Sequence, residues 1–175
     1  MFGGIFKIME KMKVKNIIIG TQPETSENYV KFFKIAAKKN IRTICVRATA
    51  SSPQQIAIEQ HLYFDILWPD NLNQITENSL NNNSIVCKLN YKTFSMLFTG
   101  DIEELAESAI LQEYKNNIQV LNSTVLKVAH HGSKTSTIPQ FLEAVDPKIA
   151  LIGVGKNNKF GHPNEEVLGR LQDIR

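Results

Sequence analysis

The chain has 175 residues, a formal net charge of +3, 42% hydrophobic residues and 21% charged residues. That length suits one domain with a sizeable core, and the composition is globular rather than disordered or collagen-like. A balance this mildly basic does not by itself indicate a nucleic-acid binder.

The elements are predicted in chain order from periodicity and punctuation. Residues Gly4 to Met12 read as a short amphipathic helix with Ile5, Ile8, Met9 and Met12 on one face. Asn16 to Gly20 reads as a buried strand. Thr25 or Ser26 caps a helix to about Lys39, with Tyr29, Val30, Phe32, Phe33, Ile35, Ala36 and Ala37 inward. Arg42 to Arg47 is the next expected strand, followed by a polar loop to Pro53. Tyr63 to Trp68 is a strand stopped by Pro69, and an asparagine-rich loop ends at Asn81-Asn82-Asn83-Ser84. Ile85 to Leu89 and Thr93 to Phe98 form a hairpin around Asn90-Tyr91-Lys92. Ile102 to about Tyr114 is a helix with an acidic first turn, as the macrodipole favours. A strand at Val125 to Ala129, a short helix at Pro139 to Val145 and a strand at Ile149 to Val154 follow. Asn164, Glu165 and Glu166 open a final helix.

Cys45 and Cys87 lie in strand-like apolar runs and are expected to be buried free thiols, with no disulfide framework. No apolar run approaches the ~20 residues that span a bilayer. The N-terminal stretch lacks the basic region and cleavage site of a signal peptide. The isolated chain is therefore expected to be soluble.

Chemistry concentrates in the run from Leu126 to Ser136, where apolar residues end in His130-His131 and then Gly132-Ser133-Lys134-Thr135-Ser136. Two imidazoles at the end of a buried strand are costly unless coordinated or hydrogen-bonded. Phe98-Thr99-Gly100-Asp101 repeats the design with a carboxylate, and Phe160-Gly161-His162-Pro163 with a further imidazole. Three strand ends that each deliver a metal-competent side chain read as half of a metal site. Singly, each has a plainer reading: Asp101 as an N-cap, His162 as a turn residue, and His130 and His131 as hydrogen-bonded strand-end groups. Their combination favours the site. Adjacent residues leaving a strand point opposite ways, so one of His130 and His131 is expected to face the site and the other to be packed or exposed. Ser133, Lys134, Thr135 and Ser136 offer hydroxyls and charge to a phosphate, or form a solvated loop. Asn82, Asn83 and Ser84 serve a turn or line the cleft. His61, with no motif around it, is not expected to be a ligand.

Several segments in this order resemble the C-terminal domain of ComEC-type competence (DNA-internalisation) proteins, which has the metallo-β-lactamase fold. They are Leu67-Trp68-Pro69, Asn82-Asn83-Ser84-Ile85-Val86, Leu97-Phe98-Thr99-Gly100-Asp101-Ile102-Glu103, the run from Leu126 to Ser136, Pro147 with Ile149 to Val154, and Asn158-Lys159-Phe160-Gly161-His162-Pro163. The resemblance covers almost the whole chain and implies an α/β fold, an αββα sandwich of two mixed sheets in a single domain. It implies that Asp101 bridges two divalent ions, zinc or manganese, that His162 is a late ligand, and that His130 or His131 is a ligand or supporting donor. Asp101 and His131 would be catalytic, with Asn83, Ser84, Ser133, Lys134 and Ser136 near the substrate. The implied activity is metal-assisted phosphodiester hydrolysis of DNA, as a single strand, in a bacterial membrane protein whose transmembrane domains are further partners. Alternatives are a small-molecule hydrolase of the same fold and a non-catalytic remnant or binding module. Family members carry a His-x-His-x-Asp-His signature before a glycine pair and helix. Here Gly3-Gly4 and Ile5 to Met12 match the pair and helix, while the signature is absent. The chain is thus expected to be an N-terminally truncated fragment with an incomplete ion site and little activity alone, since zinc takes about four donors.

Overall fold

The computed structural model describes residues 3–20, 26–46, 53–70 and 74–173, in two units, Met1–Val46 and Arg47–Arg175. In the first unit α1 (Gly3–Lys11) precedes a parallel pair, β1 (Asn16–Ile19) and β2 (Arg42–Cys45), joined through α2 (Glu27–Lys38). Ser26 caps α2 by accepting the Tyr29 amide at 3.3 Å. Met9 of α1 packs with Phe32, Ala36 and Ile41, and the Lys39 ammonium closes the end of α1 on the Met9 and Glu10 carbonyls. A cation is favourable at that end of a helix dipole. Cys45, expected to be buried, is exposed instead: the apolar run that suggested burial is the rim of a two-stranded sheet.

The second unit is built on one six-stranded sheet in chain order: β3 (Gln54–Glu59), β4 (Leu62–Trp68), β5 (Val86–Tyr91), β6 (Phe94–Phe98), β7 (Val125–Lys127) and β8 (Ile149–Leu151). Pairing is antiparallel from β3 to β6 and parallel from β6 to β8. The helices are α3 (Ser79–Asn82), α4 (Glu104–Glu113), α5 (Pro139–Val145) and α6 (Glu165–Asp173). The architecture is therefore α/β with a mixed sheet. The predicted hairpin, α4 and α5 are present. β3 is an addition, and the asparagine-rich loop contains the short α3.

Register explains which face is the core. Leu97 lies opposite Lys88 on one side and Leu126 on the other. Leu97 and Leu126 join Leu67, Val86, Ile102, Ala106, Ile110, Phe141, Leu142 and Val145 in one buried cluster. Burying each such large side chain contributes ~1.5–3 kcal/mol. The residues that alternate with these, Leu89, Met96 and Phe98, are only half-buried, and Ile149 and Leu151 on the edge strand are exposed. No helix among the described residues is long and apolar enough to cross a membrane.

One buried carboxyl group anchors the segment that leads into α5. Glu107 is fully buried, and its carboxylate accepts the amides of Thr137 at 2.6 Å and Ile138 at 2.8 Å. Arg170 of α6 donates to the carbonyls of Ser136 and Thr137. Burial raises the Glu107 pKa from 4.5 to about 7, against the two amides and Arg170, which favour the anion. The folded state thus holds the proton more tightly than the unfolded chain does. That contribution is complete below pH 4.5 and is lost as the pH rises through about 7. Relative to Glu107→Gln, which does not titrate, the wild-type protein should therefore lose up to ~3 kcal/mol between pH 5 and pH 8. Urea unfolding of both proteins at the two pH values measures this, and a constant difference would contradict it.

Candidate active site: a carboxylate–imidazole cluster at the sheet end

The parallel register of β6 and β7 brings their carboxyl ends side by side, where open α/β sheets commonly bind ligands. Hydrogen bonds stitch these ends together. Thr99 Oγ1 donates to the Lys127 carbonyl at 2.6 Å, and the Gly100 carbonyl accepts both the Lys127 ammonium (2.6 Å) and the His130 amide (3.2 Å). Gly100 has φ +57°, and an added Cβ would lie 2.6 Å from that of Ser84. The Asp101 amide donates to Ser84 Oγ at 3.3 Å. Asp101 is consequently presented from a turn fixed on three sides.

The two histidines do not leave the strand in opposite directions as expected. β7 ends at Lys127, and His130 and His131 both adopt left-handed backbone conformations, φ 45° and 57°, in a tight turn over Ala129–Gly132. Such a pair is strained for residues with a Cβ, and strain of this kind gathers at functional sites. Strand alternation no longer applies, so neither ring turns away. His131 Nε2 lies 3.6 Å from Asp101 Oδ1, and His130 Nδ1 lies 3.3 Å from Glu103 Oε1. The His130 and His162 ring centroids are 5.9 Å apart. Asp101, His130, His131 and His162 thus gather at one end of the sheet. His61 sits in the β3–β4 turn at the other end, next to Leu62, which pairs with Tyr91.

The hydrogen bonds fix the chemistry of His131. Its Nδ1 is 2.5 Å from the Gly153 carbonyl, which can only accept, so Nδ1 carries the proton. A neutral ring would then aim the Nε2 lone pair at the Asp101 carboxylate. That arrangement is balanced only by a second proton on the ring or by a cation between the two. Lys127, 3.9 Å from Asp101, supplies one positive neighbour, and burial lowers its pKa while Asp101 opposes that shift. The His162 pKa is also lowered, first by desolvation and then by His130 and His131. The 3.3 Å approach of His130 Nδ1 to Glu103 lacks hydrogen-bond alignment, which leaves that buried nitrogen without a donor or acceptor.

Glu103 was not singled out from the sequence, where it reads as a helix-dipole acid at the start of α4. It is held by Asn78 Nδ2 at 2.9 Å, by Thr135 Oγ1 at 3.4 Å, and through its own amide by Asn82 Oδ1 at 3.0 Å. Its side chain borders a depression of about 600 Å³ that also includes Glu77, Lys134 and Thr135. A hollow of about 660 Å³ lies elsewhere, lined by Leu142, Asp146 and Arg170, and contains none of the cluster. Neither hollow is lined by Asp101, His130, His131 or His162, and the first touches the cluster only through Glu103.

The residues expected near a substrate are placed unevenly. Asn83 is buried, exchanging hydrogen bonds with the backbone of Ile75 and donating to the Ser79 carbonyl. Ser136 is buried and donates to the Ile102 carbonyl, and Ser133 is buried beside Thr135. Ser84 receives the Asp101 amide, and Lys134 is exposed. Among the described residues no three His, Cys, Asp or Glu side chains are arranged to hold a metal ion. The donor types suit a divalent ion, but their present arrangement does not.

An α/β protein with a carboxylate–imidazole cluster at the ends of its parallel strands is the class that fold and site define. No protein-family model matches the chain. The chain is similar to ComE operon protein 3 of Bacillus subtilis, 40% identical over 94 residues, which is 54% of this chain and 12% of that protein. It is 34% identical over 109 residues to competence protein ComA of Neisseria gonorrhoeae, covering 62% of this chain and 15% of that protein. Recombination protein 2 of Haemophilus influenzae is 37% identical over 112 residues, 64% of this chain and 13% of that protein. The matches thus span about a seventh or less of each relative.

Gly132 couples the histidine turn to the loop of His162. It has φ +80°, its carbonyl accepts the Asn164 amide at 2.8 Å, and an added Cβ would stand 2.8 Å from the Pro163 Cβ. Gly132→Ala is expected to cost ~1–3 kcal/mol and to move His162 away from His130. Urea unfolding and the imidazole NMR shifts of the two rings measure these effects. Unchanged stability with unchanged shifts would contradict the coupling.

Proposed function

We propose that this chain is part of a competence protein and carries part of a hydrolase site acting on the phosphodiester bonds of DNA taken up as a single strand. The competence role is supported by the names of two relatives, and the hydrolase reading by the His131–Asp101 pair. That pair orients an Nε2 lone pair toward a carboxylate whose positive neighbour is the Lys127 ammonium, 3.9 Å away. In this reading the fold is of the metallo-β-lactamase type, and a divalent ion, zinc or manganese, is the cofactor. Asp101, His130, His131 and His162 would contribute to holding it, and further donors from a His-x-His-x-Asp-His segment are required. The transmembrane domains of such a protein would be its other partners. The shortage of converging donors favours, for this chain alone, the second reading of a non-catalytic module.

Two measurements test the proposal. Calorimetric titration with Mn²⁺ or Zn²⁺ should show binding that weakens about tenfold or more in Asp101→Ala and in His131→Ala, as expected for groups that hold or orient an ion. Binding unaffected by either substitution would contradict the site. This chain alone should not appreciably cleave single-stranded or duplex DNA. Joined to a segment carrying the signature it should do so, with the activity lost in Asp101→Ala. Cleavage that survives Asp101→Ala would overturn the reading.

A further inference from the structure

Phe160 has no place in the cluster's chemistry, yet it is 80% exposed in a loop that is otherwise closely organised. Asn158 Oδ1 accepts the amides of Phe160 (3.2 Å) and His162 (3.0 Å), while its Nδ2 donates to the carbonyls of Gly155 and His162. The aromatic ring lies nearly parallel to the His162 imidazole, at 16° with centroids 5.8 Å apart. The aromatic ring is therefore aligned, offset and nearly parallel, with a site histidine, and the side chain is open to solvent. Lys156 and Lys159 on the same loop are exposed as well.

We infer that Phe160 is a stacking platform for an unpaired base, placing single-stranded DNA against the carboxylate–imidazole cluster, with Lys156 and Lys159 contacting its backbone. The inference rests on the DNA-hydrolase reading above and adds to it the means of holding the strand. Stacking on an exposed aromatic ring is open to every base and needs no hydrogen-bond readout, and basic neighbours supply the salt-sensitive backbone contacts. A paired base has its faces occupied within the helix, so the platform selects single strands. An aromatic flanked by lysines also suits a membrane interface. The ring-on-ring geometry with His162 favours a planar partner, because a bilayer would need apolar depth rather than a parallel face.

Fluorescence anisotropy of a labelled single-stranded oligonucleotide, titrated with the 175-residue chain in EDTA, separates binding from cleavage. Phe160→Ala and Phe160→Leu should each weaken binding about tenfold, because leucine keeps apolar bulk without a π face. Phe160→Trp should retain binding. The only native tryptophan, Trp68, is buried, so quenching of the new indole on titration reports stacking directly. Absence of oligonucleotide binding, full binding in Phe160→Leu, equal affinity for duplex, or Phe160-dependent binding to anionic vesicles in place of DNA would each overturn the inference. Phe160-dependent binding by a signature-joined protein that fails to cleave would sustain the inference and sink the hydrolase reading. Cleavage that needs Asp101 with binding indifferent to Phe160 would do the reverse.

Discussion

The Gly100 carbonyl is the point through which the site is assembled. It lies in the turn after β6 and accepts one hydrogen bond from the Lys127 ammonium and another from the His130 amide, both contributed by the β7 segment. Two donors on one buried-side carbonyl fix the two strand ends in one register, and the charged donor makes the stronger bond. The turn needs a left-handed residue without a Cβ, since Ser84 occupies that space. Asp101 then follows immediately on one side and His131 on the other. The carboxylate–imidazole approach is thus a consequence of backbone geometry before it is a matter of side-chain attraction.

The shell around this stitch is held together by polar side chains. Asn82 receives the Glu103 amide and Asn83 ties the Ile75 segment to α3. Glu107 holds the amides of Thr137 and Ile138, and Arg170 holds two carbonyls of the same stretch. Buried amides and carbonyls must find partners, and here side chains supply them where no strand neighbour can. Residues that look available for a substrate in the sequence, Asn83 and Ser136 especially, are instead engaged in holding the loops that present Asp101 and the histidines.

Much of this was legible. Thr-Gly-Asp, His-His-Gly-Ser and Gly-His-Pro marked three chain segments, and the sheet places all three at one end. The bounds of α5 followed from Pro139 at its start and a short apolar face. Other features were hidden for physical reasons. Two consecutive left-handed histidines have no propensity signature, so the expected strand ran to Ala129 and the tight turn that follows was not foreseen. Gln54–Glu59 alternates Ile56 and Ile58 with Gln55 and Ala57, a weak period-two signal among polar residues that marks an exposed edge strand. Glu103 resembled any acid at a helix start, and only the fold brings it to His130. The exposure of Cys45 depends on how many strands flank it, which its own apolar neighbours cannot report.

Four histidines make the central claim directly testable, because three lie at the cluster and His61 lies at the far end of the same sheet. Imidazole ¹H–¹⁵N NMR spectra with substoichiometric Mn²⁺ distinguish them through paramagnetic broadening, which falls steeply with distance. His130, His131 and His162 are expected to broaden together while His61 stays sharp, and the effect should fade in Asp101→Asn. Broadening of His61 to the same degree, or of one cluster histidine without the other two, would show that these residues do not form a common site.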